Sequence, residues 1–365
     1  MNRITLRVLA VFLLLLGIGM TAASCKEEPV ETEALDETVM AVSPTESLPP
    51  ETQPTQITTE PPETELQVER FLLTFAGDCT LGANPANYYA GVGFIKTVGE
   101  DYAYPFANVI AYFDSDDFTM GNLEGALCED GVQVPKKYNF RGPTTYVNIL
   151  TQNSVEAVTV ANNHSMDYGQ QGYDTTLDTL EDGGVPYVER DSSAIITTES
   201  GLTIGLYGMV YYCLDVEDMT REIAALKEQG VDLIVVAPHW GVEGTYQPTE
   251  EQVQVGHAAI DAGANIVFGT HPHVLQPIEE YNGGIIYYSL GNFSFGGNSA
   301  PADFDTALLQ QEVIRESDGT LRLGELTVVP ACISSTSGWN NYQPTPYEPG
   351  TEEYDRVLAK LGLGK

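Results

Sequence analysis

Positive charge is what this chain most lacks. Sixteen lysines and arginines face 52 aspartates and glutamates, giving a net charge of −36 and a pI near 4.1. A surface of that sign is soluble, and as a whole it repels nucleic acid and anionic membranes. No nucleic-acid partner is expected, and an anionic ligand would need a local basic patch. Cysteine is scarce as well. Cys79, Cys128, Cys213 and Cys332 show no close pairing motif such as C-x-x-C, and both disulfides and buried thiols are compatible with them. No internal repeat is present. The apolar run at residues 8–18 is too short for an ordinary membrane span.

That run belongs to an export signal. Arg3 and Arg7 supply its positive start, and Ala22-Ala-Ser24 precedes Cys25. Residues 1–24 therefore resemble a bacterial lipoprotein signal, with Ala22 where a leucine is usual, and Cys25 is the expected lipidation site. Several acyl chains on one residue anchor far better than a single chain. Residues 25–69 are rich in Pro, Thr and Glu and nearly free of aromatics. Such a segment buries too little apolar surface to offset its ordering entropy and reads as an extended linker. The expected location is the bacterial cell surface, outside the cytoplasm, tethered to the membrane by lipid.

With 42% apolar residues, the remainder has enough for a core. The folded domain is expected over 70–332, with a C-terminal tail, 333–365, packed on or extending it. Apolar strand-like runs at 70–76, 117–120, 155–160, 202–207, 231–237, 265–268 and 284–288 alternate with helical stretches. Among these are 173–182, a helix at 218–229 with Asp218 as its N-cap and Gly230 as its stop, and 250–262. Further strands are expected near 306–314 and 321–329, and a short helix at 352–361.

The strands end in a recurring way. The first delivers Gly77-Asp78, the second Asn122-Leu-Glu124, the third Asn162-Asn-His164. The most apolar one delivers His239, and 265–268 delivers Gly269-Thr-His-Pro-His273. In α/β sheets ligands gather outside the carboxyl ends of strands. Pro272 biases His271 towards extended geometry, and side chains two apart on an extended chain point the same way. His271 and His273 are thus expected to aim at one point. Carboxylate, amide and imidazole ligands together suit manganese, iron or zinc. Because imidazoles bind metal only when neutral, affinity is expected to fall as pH drops through about 6.5. His164 is a candidate proton donor. Lys136, Lys137 and Arg141 form the densest basic stretch, and Arg141 is a candidate for holding a carboxylate or phosphate. His257, mid-helix with no chemical group near it, reads as structural.

Taken together and in order, Gly77-Asp78, Asn122-Leu-Glu124, Asn162-Asn-His164 with Asp167-Tyr-Gly169, His239-Trp-Gly241, Gly269-Thr-His-Pro-His273 and Tyr288-Ser-Leu-Gly-Asn-Phe293 resemble the poly-γ-glutamate capsule biosynthesis family, CapA. That family is related to the calcineurin-like metallophosphoesterases. The resemblance covers about residues 70–330. It implies an α/β (α+β) fold, a metallo-dependent phosphatase-like four-layer α-β-β-α sandwich of two mixed sheets. It further implies metal ligation by Asp78, Glu124, Asn163, His239, His271 and His273, with one or two divalent ions, and leaving-group assistance by His164; Asn122 and Arg141 are the expected substrate contacts. The phosphoesterase pattern has Asp-x-His in its first loop, where this chain has Asp78-Cys-Thr80. The implied function is assembly, export, anchoring or trimming of poly-γ-glutamate or another anionic polymer, alongside a membrane synthetase. The alternatives are a metal-dependent hydrolase of phosphoesters or amides and a non-catalytic binding protein.

Overall fold

Twelve residues without a break make β1 (Glu69–Thr80), and from Leu73 onward all of them are buried. Burial on both faces marks a central strand covered on each side. The computed structural model describes residues 68–84 and 93–364. The signal segment, Cys25 and the linker up to residue 67 lie outside the described residues.

Beyond β1 the chain adds α1 (Phe94–Val98), α2 (Ile110–Phe113), β2 (Phe118–Leu123), the short pair β3 (Ala126–Leu127) and β4 (Arg141–Gly142), and α3 (Val147–Thr151). Next come β5 (Ala157–Thr159), α4 (Gly169–Gly183), β6 (Tyr187–Val188), β7 (Ser192–Thr197), β8 (Thr203–Val210), α5 (Val216–Glu228) and β9 (Leu233–His239). The chain continues through α6 (Glu250–Ala262), β10 (Ile266–Phe268), β11 (Ile278–Tyr281), β12 (Gly284–Tyr287) and β13 (Asn292–Phe295). It closes with β14 (Asp305–Arg315), β15 (Leu321–Cys332), β16 (Thr345–Pro346) and α7 (Glu352–Lys360).

One sheet runs β16-β15-β14-β1-β2-β5-β6, with β13 also on β1. The other runs β11-β12-β10-β9-β8-β7. Both are mixed: β1 pairs parallel with β2 and antiparallel with β14, and β12 pairs parallel with β10 and antiparallel with β11. The period-two alternation of strands sorts the side chains into layers. Phe71, Leu73 and Phe75 of one sheet meet Leu233, Val235, Ile266 and Phe268 of the other between the sheets. Phe75 touches the Phe268 and Tyr287 rings at centroid distances of 5.3 and 5.6 Å. On the outer faces, Phe94, Phe113, Ile149 and Leu180 pack helices onto the first sheet, and Met219, Ile223, Val255 and Ile260 pack α5 and α6 onto the second. The expected four-layer sandwich is what forms. Each fully buried Leu or Phe stabilises it by about 1.5–3 kcal/mol.

Two local expectations change. Helix α5 is capped by Asp215, whose carboxylate accepts from the Asp218 N–H at 3.0 Å. Asp218 is therefore inside the first turn, and its own carboxylate accepts from Tyr207 Oη at 2.9 Å. Strands β7 and β11 were not expected. Both are sheet edges, with solvent on one face, so their sequences SSAIIT and IEEY carry little apolar signal. Among the described residues no helix is long and apolar enough to cross a membrane.

The C-terminal segment is fixed to this frame. β16 pairs with β15, and α7 places Arg356 on Asp305 through two hydrogen bonds of 2.7 Å and Lys360 on the same carboxylate at 2.7 Å. Burial works to raise the Asp305 carboxyl, but the bonds from Arg356 and Lys360 outweigh it and hold it below its ordinary value. The sign follows: the contribution is full above the unfolded value of roughly pH 4 and is lost as pH falls through the lower folded value. Asp305→Asn should cost about 2 kcal/mol in urea unfolding at pH 7. That difference should shrink below about pH 3.

Candidate metal centre

Strands β1, β2, β5 and β6 run parallel, as do β8, β9, β10 and β12. Their carboxyl ends carry the polar residues named above to one place. Asp78 is seated by its backbone: its N–H donates to the Gly291 carbonyl at 2.9 Å. A Cβ on Gly77 would strike that same carbonyl, so only glycine lets the strand end approach the 288–292 loop.

Glu124 is the centre of the arrangement. Its side chain is 0% exposed, and neither carboxylate oxygen has a hydrogen-bond partner. An unsatisfied buried carboxylate is costly. Three imidazole nitrogens surround its Oε1: His273 Nε2 at 3.7 Å, His164 Nε2 at 3.8 Å and His239 Nε2 at 3.9 Å. Asp78 Oδ2, also without a hydrogen-bond partner, lies 3.1 Å from His273 Nδ1. Ligand atoms of Asp78, Glu124 and His273 all fall within 4.8 Å of one another, a set that fits a divalent cation. His239 extends the set through Nε2, 3.0 Å from Asn163 Oδ1 and 3.1 Å from His271 Nδ1. Its other nitrogen meets Thr270 Oγ1 at 2.9 Å, the kind of outer contact that fixes a ligand's ring.

The His-x-His loop reaches this point by a different route from the expected one. His271 has φ +100° and His273 φ +57°. Neither is extended, and each positive φ costs about 1–3 kcal/mol in a non-glycine residue. The surrounding contacts hold the strain: Gly244 N–H donates to the Pro272 carbonyl at 2.8 Å, and Asn292 Oδ1 meets His273 Nδ1 at 3.0 Å. Asn292, like Thr270, was visible only as part of a motif, because nothing in an Asn or Thr marks it as a partner of imidazole.

His164 is positioned by Asp167, Lys136 and Phe140. Its Nδ1 is 2.7 Å from Asp167 Oδ2. Lys136 pairs with the other Asp167 oxygen and donates to the Asn163 carbonyl at 2.9 Å. The Phe140 ring covers the imidazole at 4.4 Å. Of the basic stretch, it is Lys136 that reaches the centre. Arg141 does not: its guanidinium lies over the Tyr168 ring and donates to the Glu129 carbonyl at 2.8 Å. Asn122 is also recast. It is wholly buried, and its amide donates to Asp78 Oδ1 at 2.8 Å and accepts from Asn162 at 3.0 Å, so it orients Asp78 and has no surface for substrate. His257 lies apart, against Glu279 at 3.0 Å and stacked on Tyr281.

Burial lowers the pKa of His239 well below the ordinary histidine value, and that of His271 to about 4, helped in each case by neighbouring imidazoles. Burial lowers His164 as well. Burial pushes the Glu124 carboxyl up. His273 goes the other way: burial opposes its charge, but Glu124 and Asp78 outweigh burial and hold the ring protonated above the ordinary range. Cys79, beside Asp78, is pushed up to about 12 by burial and stays a thiol. Thr80, standing where the phosphoesterase pattern has its first-loop histidine, is buried with no hydrogen-bond partner for Oγ1.

The family described as "Bacterial capsule synthesis protein PGA_cap" matches residues 72–297. "PGA biosynthesis protein CapA" of Bacillus subtilis is 30% identical over 291 residues, 72% of this chain and 74% of that one. "Capsule biosynthesis protein CapA" of Bacillus anthracis is 28% identical over 297 residues, 74% of this chain and 69% of that one. Solved structures overlap more loosely. The NAD nucleotidase NadN of Haemophilus influenzae gives a TM-score of 0.42 at 12% identity, over 82% of this chain and 63% of that one. The calcineurin-like phosphoesterase YfkN of Bacillus subtilis gives 0.43 at 14%, over 80% and 97%. Overlap that loose has no bearing on activity.

A His271→Ala/His273→Ala double variant should fold and lose stoichiometric metal after dialysis, measured by elemental analysis, while His257→Ala keeps it. The pH window differs from the free-histidine value. A cation must displace the proton that His273 holds above the ordinary range. Calorimetry at pH 7 in buffers of different ionisation enthalpy should register release of about one proton. As pH is lowered, affinity should already be falling before pH 6.5 is reached, by about tenfold per pH unit.

Proposed function

The chain belongs to the bacterial capsule synthesis family PGA_cap, and we propose that it is a lipid-anchored, metal-dependent hydrolase that trims poly-γ-glutamate at the bacterial cell surface. The observation that carries this reading is Glu124, a buried carboxylate with no hydrogen-bond partner, ringed by imidazoles and next to an oriented histidine. A divalent cation held by Asp78, Glu124, Asn163, His239, His271 and His273 would supply Lewis-acid polarisation of the scissile carbonyl.

The chain's own residues do the rest. In amide hydrolysis water adds to the carbonyl carbon, the C–N bond breaks, and the departing nitrogen takes a proton. Asp167 accepts the Nδ1 proton of His164, which keeps the ring in one tautomer with Nε2 on the Glu124 side. Nε2 is then left without a proton, so it takes the one released by the attacking water and delivers it to the departing nitrogen. Lys136 fixes Asp167 and the Asn163 carbonyl together, and Phe140 keeps water off one face of the ring. Lys136 also sets local positive charge in a strongly acidic protein, which an anionic polymer requires. With Thr80 in place of an imidazole in the first loop, the ligand set favours polarising one carbonyl over clamping an in-line phosphoryl transfer between two metals. A membrane-bound polymer synthetase is the partner this role implies.

His164→Ala should lower the rate of poly-γ-glutamate cleavage by about 10²–10⁴-fold at unchanged metal content. Chain-length analysis of the polymer checks this, with a model phosphodiester as the control substrate. Cys25→Ala should move the protein from the membrane fraction to the soluble one. A variant that still sediments with membranes would contradict the anchor.

A further inference from the structure

We infer that the cavity beside the His164 loop is a subsite for one γ-linked glutamyl unit, with Arg190 taking its free carboxylate and Glu189 its amide N–H. This rests on the function proposed above and specifies the unit bound next to the reacting bond. The cavity measures about 250 Å³. Asn162, Ser165 and Met166 line it from the loop that also carries Asn163 and His164, and Glu189, Arg190 and Tyr212 are among the residues facing them. Its connection to the metal centre is a chain of contacts. Tyr211 stacks on His271 at 4.8 Å, Tyr212 meets Tyr211 edge-on at 5.2 Å, and the Arg190 guanidinium lies 5.8 Å from the centre of the Tyr212 ring.

Arg190 is half exposed, with Nη1 3.4 Å from Tyr212 Oη and Nε 3.3 Å from Asp191. A guanidinium offers five N–H donors, more than these contacts use, and its fork matches a carboxylate. Glu189 is held in place by Tyr173, whose hydroxyl donates to Oε2 at 2.8 Å.

Donor and acceptor therefore come from adjacent residues. In γ-linked polyglutamate the free carboxylate and the amide nitrogen share one α-carbon, so a neighbouring donor and acceptor serve both. In α-linked polyglutamate the free carboxylate sits at the end of the side chain, away from the amide. A polyphosphate offers no N–H and meets the repulsion of Glu189. The site thus selects the linkage, beyond negative charge alone.

The test is calorimetric titration of the full, metal-loaded protein with γ-linked and α-linked glutamyl tetramers. The wild type should bind the γ-linked tetramer more tightly. Arg190→Ala should weaken that binding by about tenfold or more, with thermal stability and metal content unchanged. Glu189→Gln should narrow the preference for the γ linkage. Undiminished γ-tetramer binding by Arg190→Ala, or equal binding of the two tetramers by the wild type, would overturn the subsite and leave the proposed function standing. A wild type that binds neither tetramer would overturn both.

Discussion

A carboxylate sealed from water with nothing to hydrogen-bond it is the constraint on which the centre of this protein depends. Glu124 is held there by the end of β2, in the middle of a sheet, and cannot turn to solvent. A buried charge of that kind persists only against opposite charge. Asp78 lies on one side of the same pocket and adds to the demand. His273 answers part of it by holding a proton above the ordinary histidine range. A divalent cation, as proposed, would answer it more fully, because it would also draw in the neutral imidazoles of His239 and His271 and the uncharged amide of Asn163.

The sandwich exists to hold that geometry still. The pocket floor comes from both sheets: Asp78, Glu124 and Asn163 from the first, His239 and the 269–273 loop from the second. The inter-sheet core of Phe75, Phe268 and Tyr287 therefore sets the distance between the two halves of the cluster. Positive φ at His271 and His273 is held by the Trp240 N–H donating to the Thr270 carbonyl at 3.0 Å together with the Gly244 and Asn292 contacts. Strain there and burial at Glu124 are two forms of the same cost, met by packing elsewhere.

Much of this was legible in the chain because strand ends speak through residue type. Asp78, Glu124, Asn163, His239, His271 and His273 each follow an apolar run, and the structure brings all six together. The reasons were less legible than the residues. Pro272 argued for an extended His271, yet tertiary contacts drive it to positive φ. The basic stretch pointed to Arg141, whereas chain direction turns Lys136 inward and sets Arg141 against Tyr168. Asp167 carried no signal of its own, since its partner, His164, is visible only once the 161–169 loop closes. Edge strands β7 and β11 escaped because solvent on one face removes the apolar pattern. Helix α6, with a Thr249–Gln252 capping box and a buried stripe, matched the expected span because every local preference there agrees with the fold.

The atoms around a bound metal decide whether Glu124 and its histidines form the centre of the site. X-ray absorption of the manganese-, iron- or zinc-loaded protein resolves that shell. The expected result is a nitrogen and oxygen shell with the multiple-scattering signature of two or more imidazoles and no sulfur, because Cys79 packs into the apolar cluster with Phe94, Val98 and Phe293. A shell containing sulfur, or one of oxygen alone without imidazole, would contradict the assignment of Glu124 and its histidines as the centre of the site.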